Sequence, residues 1–305
     1  MIYKMIYQKN PEKVYFADES DKKTSQKYDL AYPFKEGLAP VKQGDEWTFI
    51  DKDFKPCPVQ FDGVGFFSEG YCKVKKGDLW YYVDKKFKLH GLGYRFASSF
   101  SEGYAVVVKD GKWFFIDKNF KKCSQDFEQA YVFSEGYAPV QKDGKRYFLD
   151  KKFTLRDCDY DEIGAFSEGF AAVKQGDKWY FIDKNFERHG EGYDGVYPFK
   201  NGCAQVKIGE KYYFINKDFT SRSKGRKYFY SDYSEGLTAV QEKDKWFFMD
   251  GQFNLLGEGY DYAGSFEDGY APVKIKDKWF VIDKNFNICG NKNGYDQQVV
   301  FRRAD

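Results

Sequence analysis

The feature that most constrains this chain is an internal repeat of about 33 residues. A segment of the form Phe-Ser-Glu-Gly recurs along the chain, and its glycines are 33 residues apart except for one step of 34. A unit of this length cannot bury a hydrophobic face alone, so the copies must pack against one another. Eight copies cover residues 34 to about 296, and their anchor glycines are Gly37, Gly70, Gly103, Gly136, Gly169, Gly202, Gly236 and Gly269.

Other positions keep the same period. Valine lies four residues after each glycine and phenylalanine seventeen residues after it. Asp lies fourteen residues after seven of the glycines, and Asn216 takes its place in the sixth copy. The 21% aromatic content therefore reflects a few positions repeated eight times, and not a surface built for stacking. All six tryptophans lie ten residues after a glycine, at Trp47, Trp80, Trp113, Trp179, Trp246 and Trp279.

The repeat unit has the pattern of a β-hairpin. In the third copy, residues 104–109 and 112–117 are short apolar segments separated by Asp110-Gly111. Asp-Gly suits a two-residue type I′ turn, and the Gly-Asp of other copies suits type II′. Both turns place Val107 opposite Phe114 and Val106 opposite Phe115. Both faces of the second strand are then apolar, so neighbouring repeats must cover them.

Two further expectations concern the backbone. Pro40, Pro139 and Pro272 lie three residues after their glycines, and proline cannot donate a hydrogen bond to a further strand. We therefore predict that the first hairpin strand is an edge strand. We also predict that the glycine of Ser-Glu-Gly has a positive φ in its turn.

These patterns predict an all-β fold of eight tandem antiparallel meanders. A closed β-propeller-like ring is favoured over an open β-hairpin solenoid, because neither end of the array has a polar capping repeat. Partial units at 28–34 and 295–300 would allow strand exchange across a seam. We assign residues 1–26 to an N-terminal strand and polar linker, and residues 27–305 to a single repeat domain.

The repeat resembles a known family. Phe-Ser-Glu-Gly-Tyr-Ala-x-Val-x-x-Asp-Gly-Lys-Trp-x-x-Ile-Asp-Lys is similar to the WG (or KWG) repeat of many bacterial proteins, and the similarity covers nearly all of the chain after residue 26. The family usually has Gly after the Trp and Thr-Gly in the following turn, where this chain has an aromatic residue or Thr48 and then Asn-Phe or Lys-Phe. The resemblance implies bacterial origin and a β-rich array, and it supplies no catalytic residues.

Charge and hydropathy exclude several function classes. The formal net charge is +2, which argues against a nucleic-acid partner bound by phosphate neutralisation. No apolar run approaches the roughly 20 residues that span a bilayer. The N-terminus has a lysine inside a short apolar run and does not fit a secretory signal. We expect a cytoplasmic monomer without a membrane span.

The chain also lacks a recognisable catalytic set. One repeat position, twenty after the glycine, carries Cys57, His90, Cys123, His189 or Cys289, but copies of one position lie too far apart for zinc ligation. We predict neither a metal site nor a cofactor. The Glu before each glycine and the Asp fourteen after it recur in nearly every copy, which indicates structural roles. We therefore expect a protein that is not an enzyme.

The irregular copies carry the candidate binding residues. The Trp position holds Arg146 in the fourth copy and Tyr212 in the sixth, and the sixth copy ends in a basic loop. The leading hypothesis is a non-enzymatic scaffold that binds a protein or peptide. The alternatives are a carbohydrate or cell-envelope ligand held by exposed aromatic residues and, least favoured, an enzyme with its site at the mouth of the ring. The candidates are Arg146, Tyr212, Arg222, Lys224, Arg226, Lys227, Tyr228 and Tyr230.

Overall fold

The structure is a computed structural model that describes residues 2–9, 12–18, 25–221, 225, 233–251, 254–296 and 298–303. It divides into two compact units, one formed by residues 1–61 and 226–305 and the other by residues 62–225. Within the described residues both units are all-β, as predicted, and no helix of a length and apolarity able to cross a membrane is found there.

The strands are short and follow one another at regular intervals. Through the fifth repeat they are β1 (Ile2–Lys9), β2 (Glu12–Ala17), β3 (Leu30–Ala31), β4 (Ala39–Gln43), β5 (Glu46–Ile50), β6 (Gly63–Val64), β7 (Tyr71–Lys76), β8 (Leu79–Asp84), β9 (Leu89–Tyr94), β10 (Phe96–Ala97), β11 (Tyr104–Lys109), β12 (Lys112–Asp117), β13 (Gln129–Ala130), β14 (Tyr137–Lys142), β15 (Lys145–Asp150), β16 (Leu155–Asp157), β17 (Glu162–Ser167), β18 (Phe170–Gln175), β19 (Lys178–Ile182) and β20 (Arg188–Tyr193). From the sixth repeat onward they are β21 (Gly195–Val196), β22 (Cys203–Ile208), β23 (Lys211–Asn216), β24 (Thr238–Glu242), β25 (Lys245–Met249), β26 (Leu255–Tyr260), β27 (Tyr262–Ala263), β28 (Tyr270–Ile275), β29 (Lys278–Asp283), β30 (Ile288–Cys289) and β31 (Val299–Arg303).

Each repeat forms one antiparallel sheet of three or four strands in chain order. The fourth repeat is typical, with the order β13-β14-β15-β16. Its long central hairpin, β14 and β15, is flanked by a strand of two residues on one side and a strand of three on the other. The predicted meander of three or four short strands per repeat is confirmed.

The predicted hairpin register is also confirmed. Val106 pairs with Phe115 and Val107 with Phe114. Asp110 and Gly111 both have positive φ, at 50° and 74°, as a type I′ turn requires. In the Ser-Glu-Gly turn the glycines have positive φ, near 90°, but so do the preceding glutamates, near 50°, which the sequence did not indicate.

The prediction of an edge strand at the prolines was wrong. Strand β14, which contains Pro139, lies between β13 and β15. The neighbouring strand, β13, pairs with β14 through only two residues. Beyond them the Tyr131 N–H donates to the Pro139 carbonyl at 3.0 Å, so the pairing needs no N–H from the proline. In the third repeat the equivalent N–H, of Val106, donates to the Ser98 hydroxyl at 2.9 Å instead of to a carbonyl.

The hydrophobic core lies between neighbouring sheets. One cluster joins Val106 and Phe115 of the third repeat to Phe133, Val140 and Leu149 of the fourth, all of them buried. Clusters of the same kind join the other neighbouring repeats within each unit. Within each unit, the hairpin faces that meet are thus covered by the adjacent repeats, as the register predicts.

The two ends of the chain form a ninth sheet, which we call the seam sheet, with the order β2-β1-β31. One of its faces packs on the first repeat, where Tyr3 and Phe16 share a cluster with Val41. The other face packs on the eighth repeat, where Ile6 and Val281 share a cluster. The first and last repeats are therefore joined through one sheet.

Candidate functional site

The repeated glutamates connect successive repeats. The carboxylate of Glu135 accepts the Gly169 N–H of the next repeat at 2.9 Å and pairs with the Lys184 ammonium, also of the next repeat, at 3.2 Å. We call this arrangement the Glu–Gly–Lys link. It recurs with Gly N–H distances of 2.8 to 3.0 Å, and its glutamates are Glu69, Glu102, Glu135, Glu168 and Glu235. The repeated glutamate therefore has a structural role.

The charge of this link is reflected in the pKa of its carboxylate. Burial acts to raise the pKa of Glu135, but the Gly169 N–H and the Lys184 ammonium together hold it below the ordinary value of 4.5. The same balance lowers the pKa of Glu69 and Glu168. These carboxylates are ionised at neutral pH and already have donors. They are poorly suited to act as general acids.

The repeated aspartates stabilise turns within their own repeats. Asp117 accepts the N–H groups of Asn119 and Lys121 at 2.9 and 3.0 Å. This closes the turn that follows the second hairpin strand. The same pair of bonds occurs at Asp51, Asp84, Asp150, Asp183 and Asp283. Both sets of periodic carboxylates therefore accept backbone N–H groups.

The histidines at the shared repeat position each contact a carboxylate of their own repeat and an aromatic ring of the next. His90 contacts the Asp84 carboxylate of its own repeat at 3.0 Å and stacks on Phe120 of the next repeat, with ring centroids 5.0 Å apart. His189 lies near Asp183 and Phe219 in the same way. Within the described ranges, no group of three His, Cys, Asp or Glu side chains could hold a metal ion.

The two described candidates from the sequence are engaged with their neighbours. The Arg146 Nε donates to the Asp161 carbonyl at 2.7 Å. Tyr212 pairs across the hairpin with Lys207, whose ammonium lies 5.8 Å from the ring centroid. Both residues stay predictions as binding residues. The other candidates lie outside the described residues, and they are Arg222, Lys224, Arg226, Lys227, Tyr228 and Tyr230.

A larger candidate site lies beside the seam sheet, inside the first unit. It is a groove of about 690 Å3, roughly twice the volume of the grooves on the first and third repeats. Residues of the seam sheet, the first repeat and the eighth repeat line this seam groove, and they are Tyr7, Lys13, Val14, Asp29, Leu30, Ala31, Tyr32, Pro33, Lys274, Asp277, Trp279, Asp296 and Gln298. A cleft of this size is typical of a ligand site.

Backbone hydrogen bonds show why the groove lies there. Val14 and Tyr28 exchange two bonds of 2.8 Å, just as Trp47 and Phe61 exchange two bonds of 2.9 Å in the first repeat. Val14 therefore occupies the tryptophan position of the seam sheet. A valine side chain fills much less space than an indole ring, so the groove opens where the other repeats have tryptophan, Arg146 or Tyr212.

The groove combines aromatic surface with paired charges. Tyr7 and Tyr32 are exposed by 37% and 42%, and Tyr32 stacks on Trp47 with centroids 5.6 Å apart. The Lys13 ammonium bonds to Asp29, and this bond, together with the Gly44 N–H, lowers the pKa of Asp29. Burial raises the pKa of Tyr7 against the opposing effect of Arg302, so its phenol stays protonated and can donate.

The groove was not predictable from the repeat because the seam sheet lacks the residues that mark it. Its turn has no Ser-Glu-Gly, and its tryptophan position holds valine. Two signals were present. Tyr3 and Asp18 correspond to the tyrosine after the anchor glycine and to the turn aspartate, and the hairpin between them is longer by one residue in each strand.

Comparison with a family model agrees with the repeat. A model described as the WG containing repeat matches seven segments that together span more than half of the chain, and six of them end at the tryptophan position. The segments are residues 16–47, 58–80, 92–113, 113–145, 157–179, 192–212 and 248–279. No curated protein matches the chain.

Among solved structures, a eukaryotic initiation factor is similar over 98% of both chains, with 10% identity and a TM-score of 0.66. At that identity the likeness is one of fold alone. The dihydro-heme d1 dehydrogenase NirN is 15% identical over 85% of this chain and 75% of its own, with a TM-score of 0.47. AztD from Citrobacter koseri is 12% identical over 100% and 99%, also with a TM-score of 0.47. Scores that low carry no functional argument.

Proposed function

We propose, from the premise that this chain belongs to the family of WG-containing repeat proteins, that it is a non-enzymatic scaffold that binds a protein or peptide. The proposal places the binding site in the seam groove. A scaffold of packed repeats holds such a groove rigidly, because each wall is part of a sheet covered by its neighbours.

One observation carries this proposal: the groove lies where the repeat is interrupted. The polar residues that recur are used to link repeats or to close turns, as the Glu135–Gly169 and Asp117–Lys121 bonds illustrate. The seam groove is lined instead by side chains specific to the chain ends, such as Tyr7, Lys13 and Gln298. A function that needs one site requires such a break in the repetition.

The Lys13–Asp29 pair of the groove is suited to binding. A general acid at neutral pH needs a raised carboxyl pKa, whereas that of Asp29 is lowered by the Lys13 ammonium. Exposed tyrosines beside paired charges are typical of surfaces that recognise peptides, since an aromatic ring supplies contact area and a hydroxyl supplies a hydrogen bond.

The experiment is selection of peptides from a random displayed library on the folded protein, with a glycan array and a substrate-turnover screen run in parallel. We expect enriched peptides whose affinity falls at least about tenfold in Tyr32→Ala. Tyr131→Ala is the matched control, because Tyr131 holds the same repeat position and is 48% exposed but lies outside the groove. Turnover without peptide enrichment would contradict the proposal.

A carbohydrate ligand is the second candidate, and the seam groove is the observation that favours it. Tyr7, Tyr32 and Trp279 lie in one groove with the carboxylates of Asp29 and Asp296. Aromatic rings beside hydrogen-bond acceptors also suit a sugar. Hits on the glycan array that are lost in Tyr32→Ala, with no enriched peptides, would favour this candidate over the first.

A further inference from the structure

The tryptophan position of the ordinary repeats shows what kind of group fits the place that Val14 leaves open. In the first unit, Trp246 packs against Tyr262 of the following repeat with centroids 5.7 Å apart, and Tyr262 also contacts Trp279 at 5.3 Å. An indole ring at this position therefore packs against the first strand of the next repeat.

The seam sheet has the same arrangement of strands but lacks the indole ring. Val14 holds the tryptophan position, and the first strand of the next repeat, β3, supplies Leu30 to the same groove, followed by Tyr32. Val14 itself is only 5% exposed, so it forms the floor of the groove. The walls are apolar or aromatic at Leu30, Tyr32 and Trp279, while polar groups lie among the other lining residues.

We propose that the seam groove is a socket for one aromatic side chain of a peptide ligand, which occupies the place of the missing tryptophan. This inference rests on the proposed function and specifies its ligand class. The ring would pack above Val14 and against Leu30 and Tyr32, and the peptide groups on either side of it would reach the polar groups of the rim. Buried aromatic anchors of this kind supply most of the affinity in many peptide interfaces.

The rim offers hydrogen-bonding groups of both kinds. Gln298 has an amide that can donate and accept, and the Tyr7 phenol, whose pKa is raised by burial, can donate to a peptide carbonyl. Asp277 lies in the hairpin turn of the eighth repeat and can accept a peptide N–H. The socket therefore differs from a purely apolar slot, because its rim has hydrogen-bond partners for the backbone of a peptide ligand.

The experiment uses N-acetyl-L-tryptophanamide as the probe, because it carries an indole between two peptide groups. Titration into the full chain, followed by NMR of labelled methyl groups, is expected to show a ring-current shift at Val14 and Leu30. The expected Kd is about 0.1 to 1 mM, from roughly −0.3 kcal/mol per non-hydrogen atom.

Two substitutions make the test specific. Val14→Trp places the family's own residue in the socket and should weaken probe binding at least tenfold. Tyr131→Ala, at the repeat position of Tyr32 but outside the groove, should keep the Kd within about threefold. Should Val14→Trp fail to fold, as judged by circular dichroism, Tyr32→Ala gives the second reading, with an expected loss of at least fivefold.

The possible outcomes distinguish a failure of the socket proposal from a failure of the scaffold function. If the probe binds the parent chain and Val14→Trp equally well, the socket is wrong. If library peptides bind but the probe and aromatic-containing peptides do not, the scaffold function stands and the socket fails. If methyl glucoside produces the shifts and the probe does not, the ligand is a sugar and the proposal is overturned.

Discussion

At the scale of single residues, a phenylalanine takes a backbone conformation that favours glycine. Phe120 has a φ of 62°, and the same residue of the other described repeats has φ between 60° and 66°. Such a conformation costs a non-glycine residue about 1 to 2 kcal/mol. The ring offsets this cost because it packs between repeats, against Tyr71 and Tyr82 of the preceding repeat and Phe100 of its own.

Because the backbone at Phe120 is strained while its ring is well packed, two variants at this position should have an unusual order of stabilities. Phe120→Ala and Phe120→Gly should both lower the free energy of unfolding by about 3 to 5 kcal/mol, because both remove the ring. The glycine variant should be the more stable of the two by about 1 kcal/mol, since glycine is unstrained at this φ. Urea unfolding at pH 7 measures both values.

Phe115 provides the control for that comparison. It is buried in strand β12, where φ is not positive, so alanine should there be more stable than glycine by about 0.5 to 1 kcal/mol. If the alanine variant were more stable than the glycine variant at both positions, the backbone at Phe120 would not be strained. The position of Phe120 was predictable from its period, but its φ was not, because sequence patterns report burial more directly than backbone strain.

At the scale of elements, the Glu–Gly–Lys link should contribute measurably to stability. Glu135→Ala removes a charge-assisted hydrogen bond and a half-exposed ion pair, so we expect a loss of about 1 to 2 kcal/mol at pH 7. Glu187→Ala, at an exposed position in the same unit, should change the free energy of unfolding by less than about 0.5 kcal/mol. Urea unfolding compares the two.

The same link predicts the dependence of stability on pH. Because the pKa of Glu135 is lower in the folded protein than its ordinary 4.5, the link contributes fully above about pH 5.5. Its contribution falls as the pH drops through 4.5 and the lower folded value. The difference between the parent chain and Glu135→Ala should therefore shrink at pH 3.5. A difference that stays constant from pH 7 to 3.5 would contradict this assignment.

How well each element could be predicted depended on how strongly the local sequence specifies it. The register of Val106 with Phe115 was predictable, because a two-residue turn leaves one pairing that keeps the apolar faces together. The neighbour of Pro139 was not, since a strand of two residues needs few donors from its partner. The groove beside the seam sheet was missed because Val14 stands where the period predicts tryptophan.

At the scale of the whole molecule, the seam sheet should determine whether the first unit stays folded. A chain that ends at Asp296 lacks β31, which pairs with β1 and supplies the buried Val299 and Phe301. We expect a loss of several kcal/mol and a fall in Tm of several degrees, because the faces of β1 and of the eighth repeat are uncovered. Thermal unfolding followed by circular dichroism measures the change.

A chain that ends at Arg303 is the control for that truncation, since it keeps all of β31. Phe301→Ala gives an independent reading, with an expected loss of about 3 to 5 kcal/mol, because the ring contacts Tyr270 and is 5% exposed. Equal Tm values for the chains ending at Asp296 and Arg303 would show that the first unit does not depend on the seam sheet.

The seam sheet also sets the order of events during synthesis. Strands β1 and β2 are synthesised well before β31, so Ile6 and Ala17 can contact Val281 and Val299 only after the residues between them have been made. At about 5 to 20 residues per second, the residues from Ala17 to Val299 take roughly 15 to 55 s. Until β31 is made, β1 has an open strand edge in the nascent chain.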